Sequence, residues 1–154
     1  MEAHLELGYW GLFVASFLAA TVLPLGSEAV FSGLLLGGAD PVWCILLATA
    51  GNWLGGMSTY LLGWLGKWEW ITRWLRIAPE KTQKWQRAVQ RFGSWFAVLC
   101  WMPIIGDPIA LALGLAKSPL GPVSVWMLVG KGLRYLILAG IVMQALDQAA
   151  FSLR

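Results

Sequence analysis

A chain of 154 residues with 58 % apolar and only 12 % charged side chains cannot hide so much apolar surface inside one small globule, which excludes an ordinary soluble domain and makes a bilayer the expected solvent. The formal net charge of +3 comes from a single basic run beside an apolar block, a pattern of membrane contact rather than nucleic-acid binding. Cys44 and Cys100 both lie inside apolar segments, so two buried thiols are expected rather than a secretory disulfide framework.

The opening MEAHLELGYW has no basic n-region and no small-residue cleavage site, so the chain is expected to keep its start. The first apolar block, 8–39, is interrupted by Pro24, Gly26, Ser27 and Glu28. Its longer piece, 8–23, makes only about 24 Å of helix, short of a core of about 30 Å. Two short pieces in tandem predict a re-entrant hairpin with its tip at PLGSE. Irregular backbone at that depth is tolerated only where protein or a watery cavity surrounds it. The second block, 42–66, makes roughly 37 Å of helix and predicts a full crossing. It carries Asn52 and glycines at 51, 55, 56, 63 and 66, the latter suited to close helix packing.

Residues 67–92 then hold seven of the eleven Lys and Arg: Lys67, Arg73, Arg76, Lys81, Lys84, Arg87 and Arg91. The positive-inside rule places this linker in the cytoplasm. Trp85, Ala88, Val89 and Phe92 give it one apolar helical face, and Trp68, Trp70 and Trp74 supply rings favoured at headgroup level, so a helix lying on the anionic leaflet is expected. The third block, 93–116, is again split, into 93–102 and 108–116, by Pro103, Gly106 and Asp107. The fourth, 119–146, makes roughly 42 Å of helix and predicts a second crossing.

The two interruptions recur at an offset of 79: Pro24 and Glu28 map onto Pro103 and Asp107, and Gly51 onto Gly130. With the prolines aligned, matching an acid (8 of 154) and a glycine (18 of 154) by chance has a probability of about 0.6 % before allowing for the choice of offset. The expected architecture is an all-α integral membrane protein in one domain, with repeat 1 over about 8–66, the basic linker 67–92 and repeat 2 over about 93–146. A hairpin followed by one crossing in each unit inverts the second unit relative to the first, as in many transporters with sites at the midplane. That topology puts both termini outside; four plain spans would put both inside.

An ionised residue at a helix centre costs about 2.5–3.5 kcal/mol on insertion scales, so Glu28, Asp107, Lys131 and Arg134 call for partners or water. Lys131 and Arg134, in GKGLRY, share a helical face, and Asn52 is the first unit's counterpart of Lys131, suited to a polar cavity. Two readings stand side by side. In one, these charges only hold hairpins against spans, or the basic pair snorkels to an interface. In the other, Glu28 and Asp107 exchange protons while Lys131 and Arg134 attract an anion, the Arg fork suiting phosphate.

The segments LPLGSEAVFSGLLLGG, GNWLGG, FAVLCWMPIIGDPIALALG and VGKGLRY together resemble the short YqaA-like branch of the DedA (VTT, SNARE-associated) superfamily over nearly the whole chain. The resemblance implies two re-entrant hairpins in an inverted repeat within the multi-pass bacterial inner membrane. It also implies proton-dependent transport, translocation of undecaprenyl phosphate or phospholipids, or a part in envelope homeostasis. Better-studied members carry an acid after the first tip proline, matched by Glu28. They also carry an arginine on each side of the second, where this chain has Cys100 and Gly106. Asp107 with Lys131 and Arg134 are the substitutes this chain offers.

The expected function is therefore a transporter or lipid translocase for a phosphate-bearing lipid or small anion. The alternative is a non-transporting membrane scaffold. Expected partners are membrane lipids, an anionic or phosphate-bearing substrate and protons, with homo-oligomerisation open. An intramembrane aspartyl protease would need Gly-x-Gly-Asp, but Ile104 stands at the first glycine, so no enzyme activity is expected. His4 is the only histidine, and neither a metal site nor a cofactor is expected.

Overall fold

The computed structural model describes residues 2–20, 26–66, 93–102 and 105–152; Pro24, Pro103 and the linker 67–92, with its expected surface helix, lie outside the described residues. In chain order the elements are α1 (Glu2–Ala19), α2 (Ser27–Leu36), α3 (Pro41–Leu65), a 3₁₀ helix (Gly93–Trp101), α4 (Gly106–Leu115) and α5 (Leu120–Ser152). The described residues thus form helices and no strand, in keeping with the all-α class expected from the lengths of the apolar blocks. Two compact units arise, one of residues 1–55 and 131–154, the other of residues 56–130.

In the first unit α1 and α2 run antiparallel. The place a side chain would take on Gly8 is filled by Leu34, and the Tyr9 hydroxyl accepts the Asp40 amide at 3.0 Å. The start of α1 therefore meets the end of α2. Asp40 also begins α3: its Oδ1 accepts the amides of Val42 (2.7 Å) and Trp43 (3.3 Å). Pro41 follows at the first helical position, where a missing N–H matters least. A Cβ on Gly51 would overlap the Phe13 carbonyl, and one on Gly55 would come within 2.8 Å of Ala20 Cβ, so α1 lies directly on the α3 backbone. The core is closed by Leu12, Phe31, Leu35, Cys44, Ala48, Tyr135 and Ala139.

In the second unit α4 packs as tightly on the end of α3. A Cβ on Gly114 would fall within 2.8 Å of the Trp64 amide nitrogen, and one on Gly63 within 3.2 Å of that of Leu115. The Tyr60 hydroxyl donates to the Ser118 carbonyl at 2.5 Å. The 3₁₀ helix lies along the start of α5, with Trp95 stacked on Trp126 at 4.3 Å and Val98 against Gly130. Its nine residues span about 18 Å at 3₁₀ rise, against about 14 Å as an α-helix, so the tighter winding lengthens a short segment.

The ends of α2 and α4 have the same local geometry. The Ala39 amide bonds the Leu34 carbonyl at 3.0 Å and the Gly38 amide that of Leu35 at 3.1 Å; Ser118 bonds Leu113 at 3.1 Å and Lys117 bonds Gly114 at 2.9 Å. Both are Schellman-type stops closed by a left-handed residue, Gly38 at φ 84° and Lys117 at φ 53°. Each pair of equivalent residues is separated by the offset of 79 that also separates the hydrogen-bonded Asn52 and Lys131.

Among the described residues one helix, α5, is long and apolar enough to cross a membrane, and only 28 % of its most apolar window is buried. A soluble core helix would be mostly covered, so this largely uncovered apolar surface is compatible with a crossing helix. The crossing expected over 42–66 has the necessary length in α3, 25 residues, but Asn52 and its glycines, tryptophans and hydroxyl residues dilute its hydropathy. Cys44 and Cys100 are buried and form no disulfide.

Candidate functional site

Glu28 stands in the first turn of α2, where unpaired amides and the helix dipole favour a carboxylate. Gly26 caps that helix without a side-chain hydrogen bond, its carbonyl accepting the Ala29 amide at 2.9 Å. The carboxylate pairs with the guanidinium of Arg134 on α5, the Glu28 side chain 38 % exposed and that of Arg134 16 %. This is a partly desolvated ion pair.

Immediately beside it, Ser27 is buried with its Oγ 3.0 Å from the Tyr135 hydroxyl, and Phe31, one turn on, packs its ring 5.3 Å from that of Tyr135. Arg134 and Tyr135 thus hold two successive residues of the α2 start. Helical spacing puts Lys131 one turn before Tyr135 on the same stripe of α5. Lys131 is 2 % exposed and donates from Nζ to Asn52 Oδ1. The Asn52 amide is oriented in turn by donating from Nδ2 to the Ser16 carbonyl at 3.1 Å. Because Nδ2 is committed to that carbonyl, Oδ1 is the end presented to Lys131. The hydroxyls of Ser16 and Thr49 are buried without a hydrogen-bond partner, so this layer of the unit has polar capacity in excess.

The sequence-predicted residues Glu28, Arg134, Lys131 and Asn52 therefore come together in two neighbouring pairs, Glu28 with Arg134 and Lys131 with Asn52. Gly26 and Ser27 lie at the start of α2 as expected. Asp107 and Gly106 lie in the first turn of α4 in the other unit, Asp107 half-buried and Gly106 packed directly against the Cys100 carbonyl. Tyr135 and Ser16 were not singled out from the sequence. Tyr135 was findable in principle, as the residue after Arg134 and one turn from Lys131; Ser16 contributes through its backbone, which leaves no side-chain signal. Among the described residues no group of three or more His, Cys, Asp or Glu is gathered to hold a metal ion.

The chain is 37 % identical over 146 residues to the inner membrane protein YqaA of Escherichia coli (strain K12), covering 91 % of this chain and 94 % of that protein. The YqaA protein of Shigella flexneri matches to the same extent. An uncharacterized protein of Haemophilus influenzae is 33 % identical over 138 residues, 82 % of either chain. No family model matches, and no solved structure does.

Proposed function

The chain belongs to the family of the inner membrane protein YqaA and is itself a bacterial inner membrane protein, and from that premise we propose that it is a proton-coupled transporter or lipid translocase for a phosphate-bearing lipid or small anion. The observation that carries this reading is the Glu28–Arg134 pair, a carboxylate and a guanidinium held at the start of a short helix within an apolar bundle.

The proposed architecture is the multi-pass inverted repeat of the DedA superfamily, with α1 and α2 as one re-entrant hairpin and the 3₁₀ helix with α4 as the other. The antiparallel run of α1 and α2, too short to cross, supports it. So do the equivalent helix stops at Gly38 and Lys117. In the proposed cycle an arriving anion takes up the Arg134 fork, the displaced Glu28 carboxylate binds a proton, and release of the anion restores the pair and expels the proton. Substrate and proton are then taken up and released together, because the guanidinium cannot satisfy two anions equally and the displaced carboxylate is protonated. Asp107 is assigned the equivalent role in the second repeat. Lys131, held by Asn52, adds positive potential one turn away.

The test is flux of a labelled phospholipid or small phosphate-bearing anion in proteoliposomes, with and without an imposed pH gradient. The reading requires flux that responds to the gradient, and loss of that response in Glu28→Gln and in Asp107→Asn, each measured per folded protein recovered. Gradient-independent flux indicates a passive scramblase. No flux of any such substrate leaves the scaffold, in which Glu28 and Arg134 only fasten α2 to α5.

A further inference from the structure

The stop after α4 is closed by a lysine in the left-handed conformation, φ 53°, a region that L side chains other than Asn and Asp seldom enter. The equivalent stop after α2 is closed by Gly38, for which the same conformation is free of strain. The same turn thus accepts glycine once and carries a strained lysine once. Backbone strain of this kind persists where the surrounding structure over-determines it, as the two stop hydrogen bonds do here, and the residue that bears it is a place to look for a role.

The surroundings of Lys117 define that role. Its Nζ lies 5.0 Å from the centre of the Trp64 ring, and both side chains are exposed. Trp64 sits in the last turn of α3, three residues before Lys67 and the run that holds seven of the chain's eleven basic residues. The turn is rigidly placed: Tyr60 donates to the Ser118 carbonyl at 2.5 Å, and Gly114 lies directly against the backbone of Tyr60 and Trp64. A tryptophan face with an ammonium held over it, at the end of an apolar helix and next to a basic run, is the arrangement favoured at headgroup level. The equivalent turn at the start of α3 carries Asp40 and no cation. The two turns therefore differ in charge in the sense that an anionic cytoplasmic leaflet would select.

We propose that Lys117 and Trp64 form a contact site for the phosphate headgroup of an anionic phospholipid of the cytoplasmic leaflet, with Trp64 against the glycerol backbone and the Lys117 ammonium on the phosphate. This site is separate from the Glu28–Arg134 pair and does not depend on transport. Its ligand is a lipid in place, not a soluble phosphate.

The purified full chain in detergent is titrated with phosphatidylglycerol and, separately, with phosphatidylcholine, and bound lipid is counted by native mass spectrometry. The wild type prefers phosphatidylglycerol. Lys117→Gly, which relieves the left-handed strain, unfolds at a higher temperature yet binds phosphatidylglycerol about five-fold more weakly, the weight of one basic residue at an anionic surface. Its phosphatidylcholine binding falls less, since the choline cation already offsets the charge of that lipid's phosphate, and Lys117→Arg keeps the preference. The basic segment 67–92 contributes equally to wild type and variants, so the difference reads Lys117 alone. An undiminished phosphatidylglycerol preference in Lys117→Gly overturns the proposal. Displacement of the lipid by glycerol 1-phosphate also overturns it, since that marks a soluble-phosphate site.

Discussion

Ser27 Oγ and the Tyr135 hydroxyl lie 3.0 Å apart, both buried, although 108 positions separate them in the chain. The bond fixes the first residue of α2 to α5 next to the ion pair, so the aim of the Glu28 carboxylate depends on a neutral contact that carries no charge itself.

Tyr135→Phe strands the Ser27 hydroxyl in an apolar layer, and Ser27→Ala strands that of Tyr135. Each single change is expected to cost about 1–3 kcal/mol, and the double change less than the sum of the two. Thermal or denaturant unfolding of the four proteins in the same detergent measures the coupling. Strictly additive losses would mean that the two hydroxyls do not depend on one another.

Glu28→Gln and Arg134→Ala each leave one charge in the bundle without its counter-ion, and folded yield should fall in both. A double change, Glu28→Gln with Arg134→Met, removes both charges and should recover much of the loss. Breaking a fully buried pair costs about 3–5 kcal/mol, and the 38 % exposure of the Glu28 side chain places the effect below that range. Size-exclusion recovery after membrane extraction reads the order of the four proteins. A double variant recovered less well than either single one contradicts the pairing.

Between two lipid-embedded helices the apolar effect gives no preference for protein over lipid, so close backbone approach carries the association. Gly51→Ala drives a Cβ into the Phe13 carbonyl and Gly114→Ala drives one into the Tyr60 carbonyl, where backbone rather than a flexible side chain must move. Losses of about 1–3 kcal/mol are expected at each. A Cβ on Gly11 or Gly33 meets nothing within 4 Å, and alanine there should stabilise by about 0.5–1 kcal/mol through helix propensity. Unfolding temperatures of the four alanine variants separate the two classes. Equal effects at Gly11 and Gly51 would contradict the packing.

The hairpin topology makes a claim about sides. A cysteine in place of Thr82, in the basic linker, should be modified only from the cytoplasm, and a cysteine in place of Lys117, beside the end of α3, from that same side. One in place of Asp40, at the start of α3, should react only from outside. A reporter active only in the cytoplasm and fused after Arg154 should be silent. An active C-terminal reporter would replace the hairpins by four plain crossings.

The solvent, the helical class and the places where helices stop were legible in the sequence, because each follows from local composition. Sixteen residues cannot cross about 30 Å of hydrocarbon as a helix. The proline and glycine residues around Glu28 and Asp107 marked the two interruptions, and α2 and α4 begin there, at Ser27 and Gly106. Even the face shared by Lys131 and Arg134 is a matter of helical period. Which acid or amide each cation takes was not legible. Either base was an eligible partner for Glu28, and only the height at which α5 passes α2 and α3 assigns Arg134 to Glu28 and Lys131 to Asn52. The Ser27–Tyr135 bond, the Ser16 carbonyl that turns Asn52, and the 3₁₀ winding of Gly93–Trp101 were likewise decided in three dimensions. Hydrogen-bond and ion-pair partners depend on distances of a few tenths of an ångström between segments far apart in the chain. Periodicity fixes the direction of a side chain on its own helix, and carries no information about the depth at which a neighbouring helix packs.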